Sequence, residues 1–237
     1  MDWTDEAIVL STRRHGETSA IATILTREHG RHVGLVRGGA GRVGRAVLQP
    51  GNRVHARWWA RLEDQLGTLN CELARAEAAG LLVDARRLTC LAAACAVAAM
   101  ALPEREPCPA VYHGFTGLLD SLAGTDDGTA GAYVRWEMAL LAELGYGLDL
   151  DHCAVTGRNN DLAYVSPRTG RAVCASAGEP YRDKLLRLPR FLLTGETPMP
   201  QEVVAGLTMT GYFLTRHVLT IMPSARIRLA EILAGGA

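Results

Sequence analysis

The sequence predicts an α+β chain in which a small β-barrel precedes an α-helical domain. Three observations carry this. Five short β-branched or alternating stretches fill the first eighty residues, with no long helical pattern between them. From Asp84 onward the texture becomes Ala-rich with helical periodicity. Within that second part, two turn-forming segments around "LAYV" interrupt the helices as a small β insertion.

The five stretches are "EAIVLST", "TSAIATILT", "RHVGLVRG", "NRVHARWWARL" and "QLGTLNCEL", several of them separated by Gly or Pro. Among five-stranded barrels the OB-fold is the commonest choice, which places an OB-fold domain at residues 1–80. Asp84 is a helix cap for a segment running to about Leu102, where Pro103 ends it. Tyr133, Trp136, Leu140 and Leu144 form one apolar face of a further helix, stopped at Gly145. Pro200 suits the first turn of a helix through about His217, and Ser224 begins another that ends at Gly235-Gly236. These make a helical domain over residues 81–237, with the insertion at about 150–180.

Charge is uneven although the 237-residue chain is formally neutral. Residues 11–61 hold ten arginines, among them Arg13 and Arg14, against only Glu17 and Glu28. A basic N-terminal part beside an acidic remainder points to a polyanion partner. In "RVHARWWAR", alternation puts Val54, Ala56, Trp58 and Ala60 on one face and Arg53, His55, Arg57, Trp59 and Arg61 on the other. Cations interleaved with one exposed indole suit single-stranded nucleic acid, charge for phosphate and ring for base. The preceding stretch adds Arg37, Arg42 and Arg45, with Gly38, Gly39, Gly41 and Gly44 expected to let a flexible loop follow a phosphate backbone. The competing reading of these arginines is a solvated outer face that keeps the barrel soluble.

Other chemistries find little support. "GAGRVG" matches a dinucleotide fingerprint with Glu63 and Asp64 about twenty residues on, but Pro50-Gly51 follows so soon that no helix is expected to open there. His29 and His32 share one tight turn, and no nucleophile–base or P-loop pattern occurs. A non-enzyme is expected. No run of eighteen apolar residues appears, and the start "MDWTDEAIVL" is acidic where a signal peptide is basic. Scattered Cys71, Cys90, Cys95, Cys108, Cys153 and Cys174 read as reduced thiols, so a cytoplasmic protein without a membrane partner is expected. A zinc ribbon needs two C-x2-C pairs, but Cys153 is followed three residues on by Thr156 and Cys174 by Ala177. That leaves a degenerate, metal-free ribbon held by packing, with no cofactor.

The segment "RWEMALLAELGYGLDLDHCAVTG" followed by "DLAYVSPRTGRAVC" resembles the central signature of the RecO family of recombination mediators. "ILTREHGRHVGLVRGG" and "LQPGNRV" resemble that family's N-terminal barrel. The resemblance implies an OB-fold, a helical domain and, in many members, a four-cysteine zinc ribbon. Cys153 and Cys174 match two of those ligand positions, and Thr156 and Ala177 occupy the other two. It also implies binding of single- and double-stranded DNA, strand annealing, contact with the acidic tail of single-stranded-DNA-binding protein, and, with RecR, help in loading RecA. Such a role implies association with the nucleoid. An acidic, Phe-ended peptide needs a cation beside an apolar groove, for which Arg135 is a candidate. A generic OB-fold nucleic-acid-binding protein, its helical domain serving another complex, is the alternative.

Overall fold

The structure, a computed structural model, describes residues 1–62, 65–124 and 128–235. It contains two compact units, residues 1–124 and 125–237. The expected acidic pair Glu63 and Asp64, and Gly236, lie outside the described residues.

In the first unit, β1 (Asp2–His15), β2 (Ser19–Thr26), β3 (Arg31–Val36), β4 (Arg53–Trp59) and β5 (Thr68–Arg75) close into a barrel ordered β1-β2-β3-β5-β4. All pairs are antiparallel except β3 with β5, which meet in parallel at Leu35 and Thr68. β1 serves two neighbours, pairing with β4 through its first half and β2 through its second. A bulge between Val9 and Ser11 makes this possible. It also exchanges the faces of the strand: Ala7 and Val9 point into the core, whereas beyond the bulge Thr12 and Arg14 stand opposite the core residues Ala22 and Ala20.

The expected alternation of β4 holds residue by residue. Val54, Ala56, Trp58 and Ala60 are buried in the barrel core, and Trp58 Nε1 donates to Val33 O at 3.2 Å. Below it, His32 is buried edge-on to Trp58 and Trp3. Burial, then the Arg105 and His29 charges, push its pKa down to about 4.

Between β3 and β4 the chain forms α1 (Arg42–Val47), a correction to the expected helix-free loop. The helix is only six residues long and buries none of its own side chains. Its C-terminal end is tethered: Leu48 enters the core, Val47 packs against it, and Asn52 Nδ2 donates to Ala46 O and Val47 O. The glycines are correspondingly tight. A Cβ on Gly44 would lie 2.5 Å from Gly38 O, and one on Gly39 would lie 2.9 Å from Ala20 Cβ. Close packing therefore requires glycine at these two positions, which corrects the flexible-loop expectation.

Three helices complete the unit: α2 (Glu77–Gly80), α3 (Ala85–Ala101) and α4 (Pro109–Ala123). Asp84 caps α3 as expected, its Oδ1 accepting from Arg86 N and Arg87 N at 3.0 and 3.1 Å. α4 is a helix that the sequence pattern did not announce.

The second unit is built on α5 (Thr129–Glu143), β6 (Leu162–Val165), β7 (Ala172–Cys174), α6 (Ala175–Gly178), a 3-10 turn (Glu179–Lys184), β8 (Leu186–Arg187), α7 (Phe191–Thr194), α8 (Pro200–His217) and α9 (Ser224–Gly235). Tyr133, Trp136 and Leu140 are buried along α5, and α8 buries Val203, Leu207, Phe213 and Leu214. The two helices approach closely where a Cβ on Gly206 would lie 2.8 Å from Val134 Cγ1. Inside this unit Glu137 and Arg226 form an ion pair, 0 % and 3 % exposed. Arg226 Nη2 donates to Glu137 Oε2 at 2.9 Å, and the Tyr133 and Thr210 hydroxyls donate to the same carboxylate.

Candidate nucleic-acid interface

Strand register separates the basic residues of the barrel into two populations. Arg57 stands opposite Thr4 on β1, one pleat from Asp2, and its guanidinium takes that carboxylate with Nη2 at 2.6 Å and Nε at 3.2 Å. The interaction holds the Asp2 carboxyl below its ordinary pKa. Arg53 lies 2.7 Å from the buried carboxylate of Glu77 through Nε, an ion pair by distance without hydrogen-bond alignment. Its Nη2 also bonds Asp120. His55 is flanked by Glu6 on β1 and Glu72 on β5. Arg27 pairs with Glu6 and Glu28, and Arg31 with Glu104. The β4 stripe is thus basic in sequence but largely neutralised by its neighbours.

Arg13, Arg14, Arg37, Arg42 and Arg45 differ. All five are exposed, and none has a carboxylate within 4.0 Å among the described residues. They share one end of the barrel, because β1 and β3 both finish there and Ala40 N bonds Thr18 O at 2.9 Å, joining the α1 loop to the β1–β2 turn. Arg14 is braced across that turn, donating to Gly16 O and Glu17 O at 3.1 and 3.0 Å. Arg14 and Arg45 face a cleft of about 310 Å³ with Thr12, Leu48 and Pro50 in its wall. Held cations with free donors and an apolar floor provide a surface for phosphates and the sugars between them.

Trp59 stands apart from this end, its indole 47 % exposed on the outer face of β4. In the second unit Arg135 lies 5.0 Å over the Phe191 ring and donates to Glu196 O at 3.0 Å. Close by, Arg187, Arg190, Leu162, Leu188 and Leu193 line a groove of about 680 Å³. No signal in the sequence marked Arg187 and Arg190; the pairing of β8 with β6 sets Arg187 opposite Tyr164 at this groove.

The insertion keeps a compact turn framework. Cys153 and Cys174 are buried with their sulfurs 3.4 Å apart, and Cys174 N donates to Cys153 Sγ at 3.3 Å. Thr156 Oγ1 and Ser176 Oγ lie 3.7 and 3.5 Å from Cys174 Sγ. Burial raises the Cys153 pKa, but hydrogen bonds from Thr156, Cys174 N, Thr156 N and Val155 N outweigh it and bring the thiol to about 6. Two thiols, a hydroxyl and the methyl of Ala177 do not fit a four-ligand zinc site. Among the described residues no group of three His, Cys, Asp or Glu side chains could hold a metal ion. Nor is any described helix long and apolar enough to cross a membrane.

A barrel with a cationic end, followed by a helical unit carrying a β insertion, makes an α+β protein with a candidate polyanion surface. Residues 1–76 match the family described as "Recombination protein O N terminal", and residues 82–225 match "Recombination protein O C terminal". The chain is 56 % identical over 237 residues to DNA repair protein RecO of Rhodospirillum centenum, covering 98 % of this chain and 94 % of the relative. It is 52 % identical to that of Rhodospirillum rubrum over 98 % and 96 % of the two chains. With that of Cereibacter sphaeroides strain ATCC 17025 it shares 46 % identity over 100 % of both. The chain belongs to the RecO family of DNA repair and recombination proteins.

Proposed function

We propose that the protein is a non-catalytic recombination mediator, binding single- and double-stranded DNA through its barrel and annealing complementary strands. In this reading the barrel is an OB-fold, as its strand order and parallel β3–β5 closure support, and the insertion is a zinc ribbon that has lost its metal. Together with RecR it helps load RecA onto strands coated by single-stranded-DNA-binding protein, in the cytoplasm at the nucleoid. The observation that carries the DNA reading is the set of exposed arginines without carboxylate partners at the α1 end. Arg53 and Arg57, bound to carboxylates, have a structural part. The acidic tail of single-stranded-DNA-binding protein is assigned to the second unit, where Arg135 over Phe191, with Arg187 and Arg190 beside exposed Leu193, offers cations next to apolar surface.

The test is Arg37, Arg42 and Arg45 replaced together by Ala, with binding to a fluorescent single strand followed by anisotropy. Each phosphate contact is worth roughly 0.7 log unit at about 0.1 M salt, so three predict a loss of about a hundredfold. All three side chains are exposed, so the melting temperature should stay at the wild-type value. Wild-type affinity in the folded variant would make these residues solubility charge.

A further inference from the structure

The neutralised face of β4 carries a second, uncharged arrangement. Register sets Trp59 directly opposite Thr68 on β5 and Asp2 on β1, with Arg57 opposite Asn70 one pleat away. Directly opposed residues share a face, so the indole, the Thr68 hydroxyl and the Asn70 amide all point outward together. With Asp2, Arg57 and Ala60 they surround a cleft of about 550 Å³. The Arg57 guanidinium is taken up by Asp2, and the Met1 ammonium, which also lines the cleft, donates to Ala60 O at 2.8 Å, so the rim keeps one cation. The Thr68 hydroxyl and Asn70 amide make no hydrogen bond to another described residue. An exposed ring and a free amide suit a flat, hydrogen-bonding ligand.

The same row continues round the barrel. Thr68 meets Leu35, Leu35 meets Ile21, and Ile21 meets Arg13. At about 4.8 Å per strand, Arg13 lies roughly 19 Å from Trp59 along the row, with half-buried Leu35 and buried Ile21 between them. Arg37 follows Leu35 by two residues. Free cations thus stand at one end of this row and the aromatic cleft at the other.

We propose that the cleft is a base-binding subsite for one unpaired nucleobase, stacked on Trp59 and held at its edge by Asn70, with purines preferred. The inference rests on the nucleic-acid binding proposed above. Stacking on an indole tolerates every base, and preference comes from how much of the ring a base covers. A purine covers more of the ring than a pyrimidine. A carboxamide presents a donor beside an acceptor, the complement of the edge that any unpaired base exposes, adenine N6–H and N7 or thymine N3–H and O4 alike. Duplex DNA keeps its bases stacked inside and is excluded from the cleft.

The experiment uses the full chain and fluorescent 15-mers of dA and dT, comparing wild type, Asn70→Ala and Trp59→Ala at one salt concentration. Asn70→Ala should weaken both strands by about fivefold or more, the lower range of a bidentate contact, and the dA-to-dT affinity ratio of the wild type should exceed that of Trp59→Ala. Taking the ratio cancels the different stiffness of the two strands. Trp59→Ala should weaken both strands by about fivefold or more, leaving duplex binding unchanged. Melting temperatures check the folding of these exposed substitutions. If both variants bind both strands as the wild type does, while the triple arginine variant is weakened, the subsite is overturned and DNA binding at the α1 end stands. If the wild type binds no DNA at all, the DNA-binding reading fails and the subsite with it.

Discussion

The β4 strand and the α1 segment are nearly indistinguishable in sequence, each an arginine-rich stretch beside glycine or aromatic residues, yet the fold treats them oppositely. On β4 every second residue faces outward into a sheet whose neighbours supply Asp2, Glu6, Glu72 and, from the helices behind, Glu77 and Asp120. On α1 the chain has left the sheet, and among the described residues no carboxylate lies within 4.0 Å of Arg42 or Arg45. Cationic charge in a sequence is therefore a statement about supply. Whether it reaches a ligand depends on what register places beside it.

The helical unit holds the extreme case of a paired arginine, and it gives the largest expected effect. Glu137→Ala would leave the Arg226 charge buried without its carboxylate, costing about 3–5 kcal/mol, measured as the shift in urea midpoint at constant slope. An unchanged midpoint would mean that buried pairing is not what holds these arginines. Arg53→Ala tests the intermediate case. Glu77 keeps Arg75 at 3.3 Å, so the loss should be smaller, about 2 kcal/mol, with affinity for single-stranded DNA changed by less than about twofold. A large loss of DNA affinity with intact folding would return Arg53 to the binding surface.

Cysteine extends the comparison from charge to metal ligands, with the smallest expected effect. Cys153 and Cys174 meet, but the partners they find are each other, Thr156 and Ser176. The purified protein should carry no stoichiometric zinc, and a chelator should leave its melting temperature unchanged. One zinc per chain by elemental analysis would contradict this.

Much of this was legible in the sequence because it depends on local rules. Strand alternation assigned Val54, Ala56 and Trp58 to the core, Asp84 announced α3, and Pro200 began α8. The features that escaped depend on distance along the chain. Asp120 reaches Arg53 from 67 residues away, and Asp2 reaches Arg57 from 55. The bulge after Val9 reverses which of Arg13 and Arg14 turns toward the barrel mouth, and no residue there marks it. α1 escaped for another reason: "RVGRAV", with a central Gly and two β-branched valines, is a poor helix former, and its six residues persist because Val47 and Leu48 anchor them in the barrel. For the candidate interface, the residue types were readable and the division between free and paired cations was not.

That division is tested most directly by salt. The logarithm of DNA affinity should be measured against the logarithm of salt concentration for wild type, for Arg37, Arg42 and Arg45 replaced by Ala, and for Arg53 and Arg57 replaced by Ala. Removing one cation from a phosphate lowers the magnitude of the slope by roughly 0.7 on a single strand. The triple variant should therefore fall by about 2, and the double variant should keep the wild-type slope. Equal loss of slope in the two variants, or a loss confined to the double variant, would contradict the account.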